Sequence, residues 1–326
     1  MGTLYRYHFR MDIRRWIIVD IQNQLEYLEK QVEELKEAVL KTELRTRNHM
    51  NTLYFRFQDR TLRQKRRPML SAFAVNILDH CNLNCKGCDN FSCIADEKFV
   101  SLNSIIKDLS QMSALTQENV MLISISGGEP LLHPNLPEIL ENARKYFPHT
   151  LIEVVTNGIL LLNKDRAFWD TCKENNIGIV VTKYPIELNH EEIEKTAKEN
   201  HVNFRYQGNT KTVVKTMDKI FIDTTAYQNV AVSFWNCPYV NKCQTLKDGK
   251  FYPCPILANA EIFNRQFDLN MKIYEEDSLD IHKTNNLEDL LSYLCKPKSF
   301  CCYCNTVSRT KGNKWEVTKK CITEWT

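Results

Sequence analysis

Along the first part of the chain, aliphatic residues recur at alternating spacings of three and four: Ile18, Ile21, Leu25, Leu28, Val32, Leu35 and Val39. Glu26, Glu29, Lys30, Glu33, Glu34 and Lys36 fill positions between them. This is a heptad seam. It predicts a parallel coiled-coil homodimer through residues 18–39, or else one amphipathic helix packed on the rest of its own chain. A basic run over 56–67 ends at Pro68, which breaks any helix there. From Ser71 the texture changes. Short apolar runs at 73–78, 120–124, 151–155, 177–181 and 202–206 predict strands. Helical patterns at 102–115, 136–146, 164–175 and 190–199 fall between them. Strands alternating with helices predict βαβ units, and near-continuous apolar runs predict a parallel sheet covered on both faces. After Ile222 the rhythm is lost. Asp248-Gly249 there signals a type I′ hairpin, and counting outward from the turn sets Cys243 across from Cys254. The pattern divides the chain into a helical segment over 1–68, an α/β core over 71–234 and a smaller cysteine-bound domain over 235–326.

Composition narrows the function classes. The chain has 326 residues and a net charge of +3, which does not suggest a nucleic-acid or polyanion binder. Residues 1–20 carry charges throughout, so no secretory signal is expected. No run of about 18 apolar residues exists, so no membrane span is expected either. The location expected on these grounds is cytoplasmic. Thirteen cysteines are many for such a chain, and they cluster. Cys81, Cys85, Cys88 and Cys93 form one group, Cys237, Cys243 and Cys254 a second, and Cys295, Cys301, Cys302, Cys304 and Cys321 a third. Such clusters read as metal sites before they read as disulfides. Cys93 and the solitary Cys172 read as small core residues.

The first group contains a C-x3-C-x2-C loop just past the first strand, at Cys81, Cys85 and Cys88. Three thiolates can hold three irons of a cubane and leave the fourth open for a ligand. Ser126-Gly127-Gly128-Glu129-Pro130 follows the second strand, Thr156-Asn157-Gly158 the third, and Thr182-Lys183 ends the fourth. All four segments fall at the carboxyl ends of parallel strands, where barrel enzymes place their chemistry.

These motifs resemble those of the radical S-adenosylmethionine (radical SAM) superfamily. The resemblance implies a partial (β/α)6 TIM barrel, with a [4Fe–4S] cluster on Cys81, Cys85 and Cys88. It implies that the open iron chelates S-adenosyl-L-methionine, which Gly127, Gly128, Glu129 and Pro130 help to hold, with Asn157 and Thr182 as further contacts. Glycines there would let the main chain approach the ligand closely. An electron donor such as flavodoxin or ferredoxin is implied as a partner. One departure stands out: the residue before the third cysteine is usually aromatic in the family, and here it is Gly87.

The later cysteines resemble a twitch domain, the shortened SPASM extension: a cysteine, G-x4-C, then a distant C-x2-C. Cys237, Gly249, Cys254, Cys301 and Cys304 fit that pattern, which implies one auxiliary [4Fe–4S] cluster. Family spacing favours Cys237 as the first ligand, and hairpin geometry favours Cys243. Cys295 and Cys302 read as bystanders. The expected function is reductive cleavage of S-adenosylmethionine and hydrogen abstraction from a small polar molecule or a peptide. No catalytic side chain is identified. The alternative is a zinc-stabilised coiled-coil interaction protein without redox chemistry.

Overall fold

The computed structural model describes residues 22, 24–39, 42, 68–207, 216–240 and 242–326. It separates into two units, residues 1–67 and 68–326. In the first unit the described residues are helical over 24–39. The seam side chains Leu25, Leu28, Val32, Leu35 and Val39 are all exposed on it. Ile18, Ile21 and the basic run lie outside the described residues.

The second unit is built on a parallel sheet. Strands β1 (Leu70–Asn76), β2 (Val120–Ser126), β3 (Leu151–Thr156), β4 (Ile177–Val181) and β5 (Phe204–Tyr206) pair in sequence order, every pair parallel. Helices α1 (Leu102–Thr116), α2 (Leu136–Tyr146), α3 (Arg166–Glu174) and α4 (His190–Glu199) return the chain between them. Their ends are fixed locally. Ser101, Asp165 and Asn189 each accept a backbone N–H at a helix start. Ile105, Leu109 and Met112 give α1 a buried stripe at helical spacing. Every residue of β4 is buried, as expected for a strand covered on both faces.

The chain then departs from simple repetition. β6 (Thr216–Ile222) does not extend the sheet beyond β5. It pairs antiparallel with β10 (Cys304–Lys314) in a separate ribbon. The sixth parallel strand is β7 (Thr245–Lys247), added on the outer edge of β1. β8 (Lys250–Tyr252) follows through a turn with φ of 49° at Asp248 and 74° at Gly249, the type I′ geometry that the dipeptide predicts. β9 (Leu279–Asp280) completes this edge.

Two apolar cores result. One, around Phe73, Ile123, Ile139 and Ile179, lies between the sheet and its helices. The other joins Phe91 and Ile94, from the loop after Cys88, to Ile222, Phe263, Phe300 and Trp325. The carboxyl-terminal region therefore packs directly on the cysteine loop. On its inner face β1 presents Ala72, Ala74 and Asn76, and β2 presents Ser124 and Ser126; these small side chains leave a cleft of about 580 Å³.

A buried ion pair secures the sixth strand. Lys247 Nζ lies 2.6 Å from Asp79 Oδ1, with side chains 8% and 7% exposed. The same ammonium donates to Asn259 Oδ1 at 2.6 Å. Lys247→Met removes one partner of a desolvated pair and leaves the Asp79 carboxylate, among the described residues, with the distant Lys98, 3.9 Å away. The expected cost is about 3 kcal/mol, read as a lower midpoint in thermal or urea unfolding. Lys247→Arg should recover most of it; a Met variant as stable as the parent would show that the pair does not hold β7 in place.

Candidate functional site

Cys81, Cys85 and Cys88 leave the carboxyl end of β1 on one tight loop. Gly87 turns it at φ +66°, a conformation that suits a residue without Cβ. Leu83 N donates to Cys81 Sγ at 3.3 Å. Burial, with a smaller contribution from neighbouring thiols of the loop, pushes the Cys81 thiol up to about 12 and the Cys88 thiol up to about 11. Thiols this close in a dry site stay protonated on their own; a bound polycation converts them to thiolates. The donor set therefore fits an iron–sulfur cluster.

The Gly127-Gly128-Glu129 segment, at the end of β2, lies against this loop. A Cβ on Gly128 would stand 1.7 Å from the His80 carbonyl oxygen, and one on Gly127 2.4 Å from that of Leu78. Gly128 N donates to Leu78 O at 3.0 Å and Glu129 N to His80 O at 3.2 Å. The close approach that these glycines make is thus to the backbone leading into the cysteine loop. Glu129 is buried. Its carboxylate accepts from Thr156 Oγ1 at 2.6 Å, Asn157 N at 2.9 Å and Leu131 N at 3.0 Å. Burial raises its pKa against the pull of these three bonds. Pro130 opens a short 3-10 turn.

Asn157 Nδ2 donates to Asn82 Oδ1 at 2.8 Å and lies 3.8 Å from Cys81 Sγ. Thr182 Oγ1 donates to Gln207 Oε1 at 2.8 Å, and Thr182 N to Thr156 O at 2.9 Å. The four motif segments therefore meet at one edge of the sheet. Cys85, Cys88, Asn90 and Gly127 line the cleft below, with Gln207 and Asp218.

One residue at this edge carries no motif signal. Tyr184 follows β4, makes a hydrogen bond with the Cys85 thiol and has its own pKa raised, chiefly by burial and then by the three thiols. Its ring meets Trp315 edge to face, centroids 6.0 Å apart. Only its place just past a strand's carboxyl end could have pointed to it.

Among the later cysteines, Cys237, Cys254, Cys301 and Cys304 line one small cavity of about 20 Å³. Burial pushes Cys254 and Cys304 well above the usual thiol range and Cys301 to about 11, and thiols of the set add to each. Cys243 does not line this cavity; it borders the cleft that Cys85 and Cys88 also line, and is near enough to the second set to add to the rise at Cys254. The β7–β8 ladder ends at Thr245 and Tyr252, short of the expected Cys243–Cys254 pair. Cys243 N instead bonds Tyr239 O, and Cys254 stands at a helix start. Among the described residues, no three His, Cys, Asp or Glu side chains gather around a point fit for a single metal ion. A cubane spreads its thiolates over several irons.

The sequence profile of the radical SAM superfamily matches residues 75–221. The chain carries a radical SAM domain. The cofactors of that superfamily are a [4Fe–4S] cluster and S-adenosylmethionine, and the domain spans the first cysteine loop and all four motif segments. A GTP 3',8-cyclase of Clostridium perfringens is 28% identical over 93 residues, 28% of each chain. A probable GTP 3',8-cyclase of Methanococcus maripaludis is 38% identical over 93 residues, 28% of this chain and 30% of that protein. The chain thus spans under a third of the curated relatives that it matches. Among solved structures, BtrN in complex with AdoMet and 2-DOIA aligns with 74% of this chain and 95% of its own, at 17% identity and a TM-score of 0.46. Streptococcus suis SuiB bound to precursor peptide SuiA aligns with 79% of this chain and 75% of its own, at 13% identity and a TM-score of 0.37. Among the described residues no helix is long and apolar enough to cross a membrane.

Proposed function

We propose that the chain is a radical SAM enzyme acting on a small polar molecule, with its cluster on Cys81, Cys85 and Cys88. The observation that carries this reading is the meeting of three thiols, one buried and two partly buried, with the Gly-Gly-Glu segment at the carboxyl edge of a parallel sheet, above a cleft of about 580 Å³. When bound, the cluster and S-adenosylmethionine supply an electron and a 5′-deoxyadenosyl radical for hydrogen abstraction. The chain's own residues position and shield. Tyr184 donates toward one thiol, Asn157 stands beside another, and Glu129 locks the ends of β2 and β3 together. The cleft falls within the usual range for a small-molecule site and is lined by Asn90, Ser124, Gln207 and Asp218. A small polar substrate is favoured on that ground, as with the GTP named for the curated relatives; a peptide is the second reading. Reconstituted protein with dithionite should release 5′-deoxyadenosine, and Cys85→Ala should reduce release to background. Full release from that variant would remove Cys85 from the ligand set.

The second thiol set is assigned an auxiliary [4Fe–4S] cluster on Cys237, Cys254, Cys301 and Cys304. Their shared cavity supports Cys237 over Cys243. A variant with Ala at 81, 85 and 88 should retain about four irons, as one cubane requires. Adding Cys237→Ala should remove them, and adding Cys243→Ala should not. Zinc in place of iron would overturn the assignment and support a zinc-stabilised interaction protein.

The exposed seam on the helix over 24–39 supports a homodimer through residues 18–39. Its five described seam side chains are each about half exposed, surface that a second copy would remove from water at roughly 25 cal/mol per Å². Light scattering should give a dimer for the full chain and a monomer for protein beginning at Pro68. Leu28→Glu, which puts two like charges in the seam, should also give a monomer. A monomeric full chain at micromolar concentration would leave the seam without this role.

A further inference from the structure

The cysteine loop has a second side, away from the cleft, and the carboxyl-terminal segment lies on it. Lys86 N donates to Glu316 O at 2.9 Å, Thr318 N to Asn84 O at 3.0 Å, and Trp325 Nε1 to Cys88 O at 3.1 Å. Cys85 and Val317 form an isolated antiparallel bridge. A Cβ on Gly87 would meet the Glu324 carbonyl oxygen at 3.4 Å. The departure at position 87 thus coincides with the place where the tail crosses the loop. Beside the crossing lies a surface cavity of about 380 Å³ whose wall includes Gly87 and whose lining includes Lys86, Lys219 and Lys314. Of the loop residues on this cavity, Lys86 is exposed and Gly87 is buried.

The surroundings are cationic. Residues 309–320 contain Arg309, Lys311, Lys314, Lys319 and Lys320 against one acid, Glu316. Lys311, Lys314, Lys319 and Lys320 are exposed. None of the ion pairs among the described residues uses these four. Glu316 pairs with Lys86, and the buried Glu324 accepts from Thr318 Oγ1 and Lys319 N. A third acid, Asp218 on β6, accepts from Gly312 N at 3.0 Å, and the four exposed lysines outnumber these acids.

We infer that this face, built from β10 and the tail, is the docking surface for an acidic one-electron donor protein. The inference rests on the first thiol set holding the cluster. The electron for that cluster must come from outside the chain, and transfer is fastest where the donor's redox centre comes nearest to the loop. A cationic rim over the tail where it crosses the cysteine loop meets both demands, because opposite charge steers encounter and fixes orientation. In the transfer one electron leaves a reduced flavin, which becomes a semiquinone, and the cluster's charge falls by one.

Oxidised flavodoxin serves as the binding probe and its hydroquinone as the electron source. Titration of cluster-loaded protein should give a Kd that weakens steeply between about 20 and 300 mM salt, as exposed opposite charges require. A Lys311→Glu, Lys314→Glu, Lys320→Glu variant should bind about tenfold more weakly or worse. Release of 5′-deoxyadenosine driven by the hydroquinone should fall in parallel, while release driven by dithionite stays within about twofold. Unchanged flavodoxin affinity in the variant, or salt-independent affinity in the parent, overturns the inference, as does an equal loss with dithionite. Tighter binding of an oligonucleotide than of flavodoxin at the same salt would assign the face to nucleic acid and also overturn it. Parent protein that releases nothing with dithionite but binds flavodoxin in a salt-dependent way would fail the proposed function and leave the docking face standing.

Discussion

The close approach of two backbones, Gly127-Gly128 against 78–81, is the constraint on which the rest of the site depends. Any Cβ at Gly128 would sit inside the His80 carbonyl, so the contact exists only with glycine there. Through it the exit of β2 is bonded directly to the exit of β1, and the cysteine loop inherits a fixed starting point. Glu129 extends the same tie to β3 by accepting from Thr156 and Asn157. Thr182 N bonds Thr156 O and carries it to β4. Each motif at a strand end is thus held by the neighbouring strand's motif. Three hydrogen bonds offset part of the cost of burying the Glu129 carboxylate, and burial still holds its pKa above the usual value.

The sequence could reveal this much because the informative signals are local. Helices 136–146 and 190–199 and strand 177–181 match their apolar patterns to the residue. The type I′ turn at Asp248-Gly249 follows from two residues that accept positive φ. What stayed hidden is set by distant partners. Nothing in β6 marks it for pairing with β10 instead of β5, and nothing in Thr245–Lys247 says that it will add to β1. The choice between Cys237 and Cys243 is of the same kind. An ideal hairpin count brings Cys243 opposite Cys254, but the ladder stops at Thr245, and the chain beyond it turns through the Cys243 N to Tyr239 O bond.

Tyr184 and the carboxyl-terminal tail illustrate a second reason. Their importance lies in what they touch, and side chains such as Tyr184 or Trp325 carry no pattern of their own. Trp325 packs among Phe91, Phe263 and Phe267 and still donates its indole N–H to Cys88 O. An amphipathic ring suits such a place, apolar on its faces and with one donor at its edge. The second apolar core is therefore also what presses the tail onto the cysteine loop.

That coupling bears on how the two thiol sets are related. β10 begins at Cys304, beside the cavity of the second set, and runs toward the tail residues that pair with Asn84, Cys85 and Lys86 of the first. The strand pairs with β6 through two register shifts, so the ribbon is irregular between the second set at its start and the tail beyond its far end. Trp325 O accepts from Ile222 N on β6, which closes the arrangement back onto β10's own partner. The carboxyl-terminal region is thus more than an appendage carrying a second group of cysteines. It forms part of the wall against which the first set lies, through the Cys85–Val317 bridge and the Trp325 indole bond to Cys88 O.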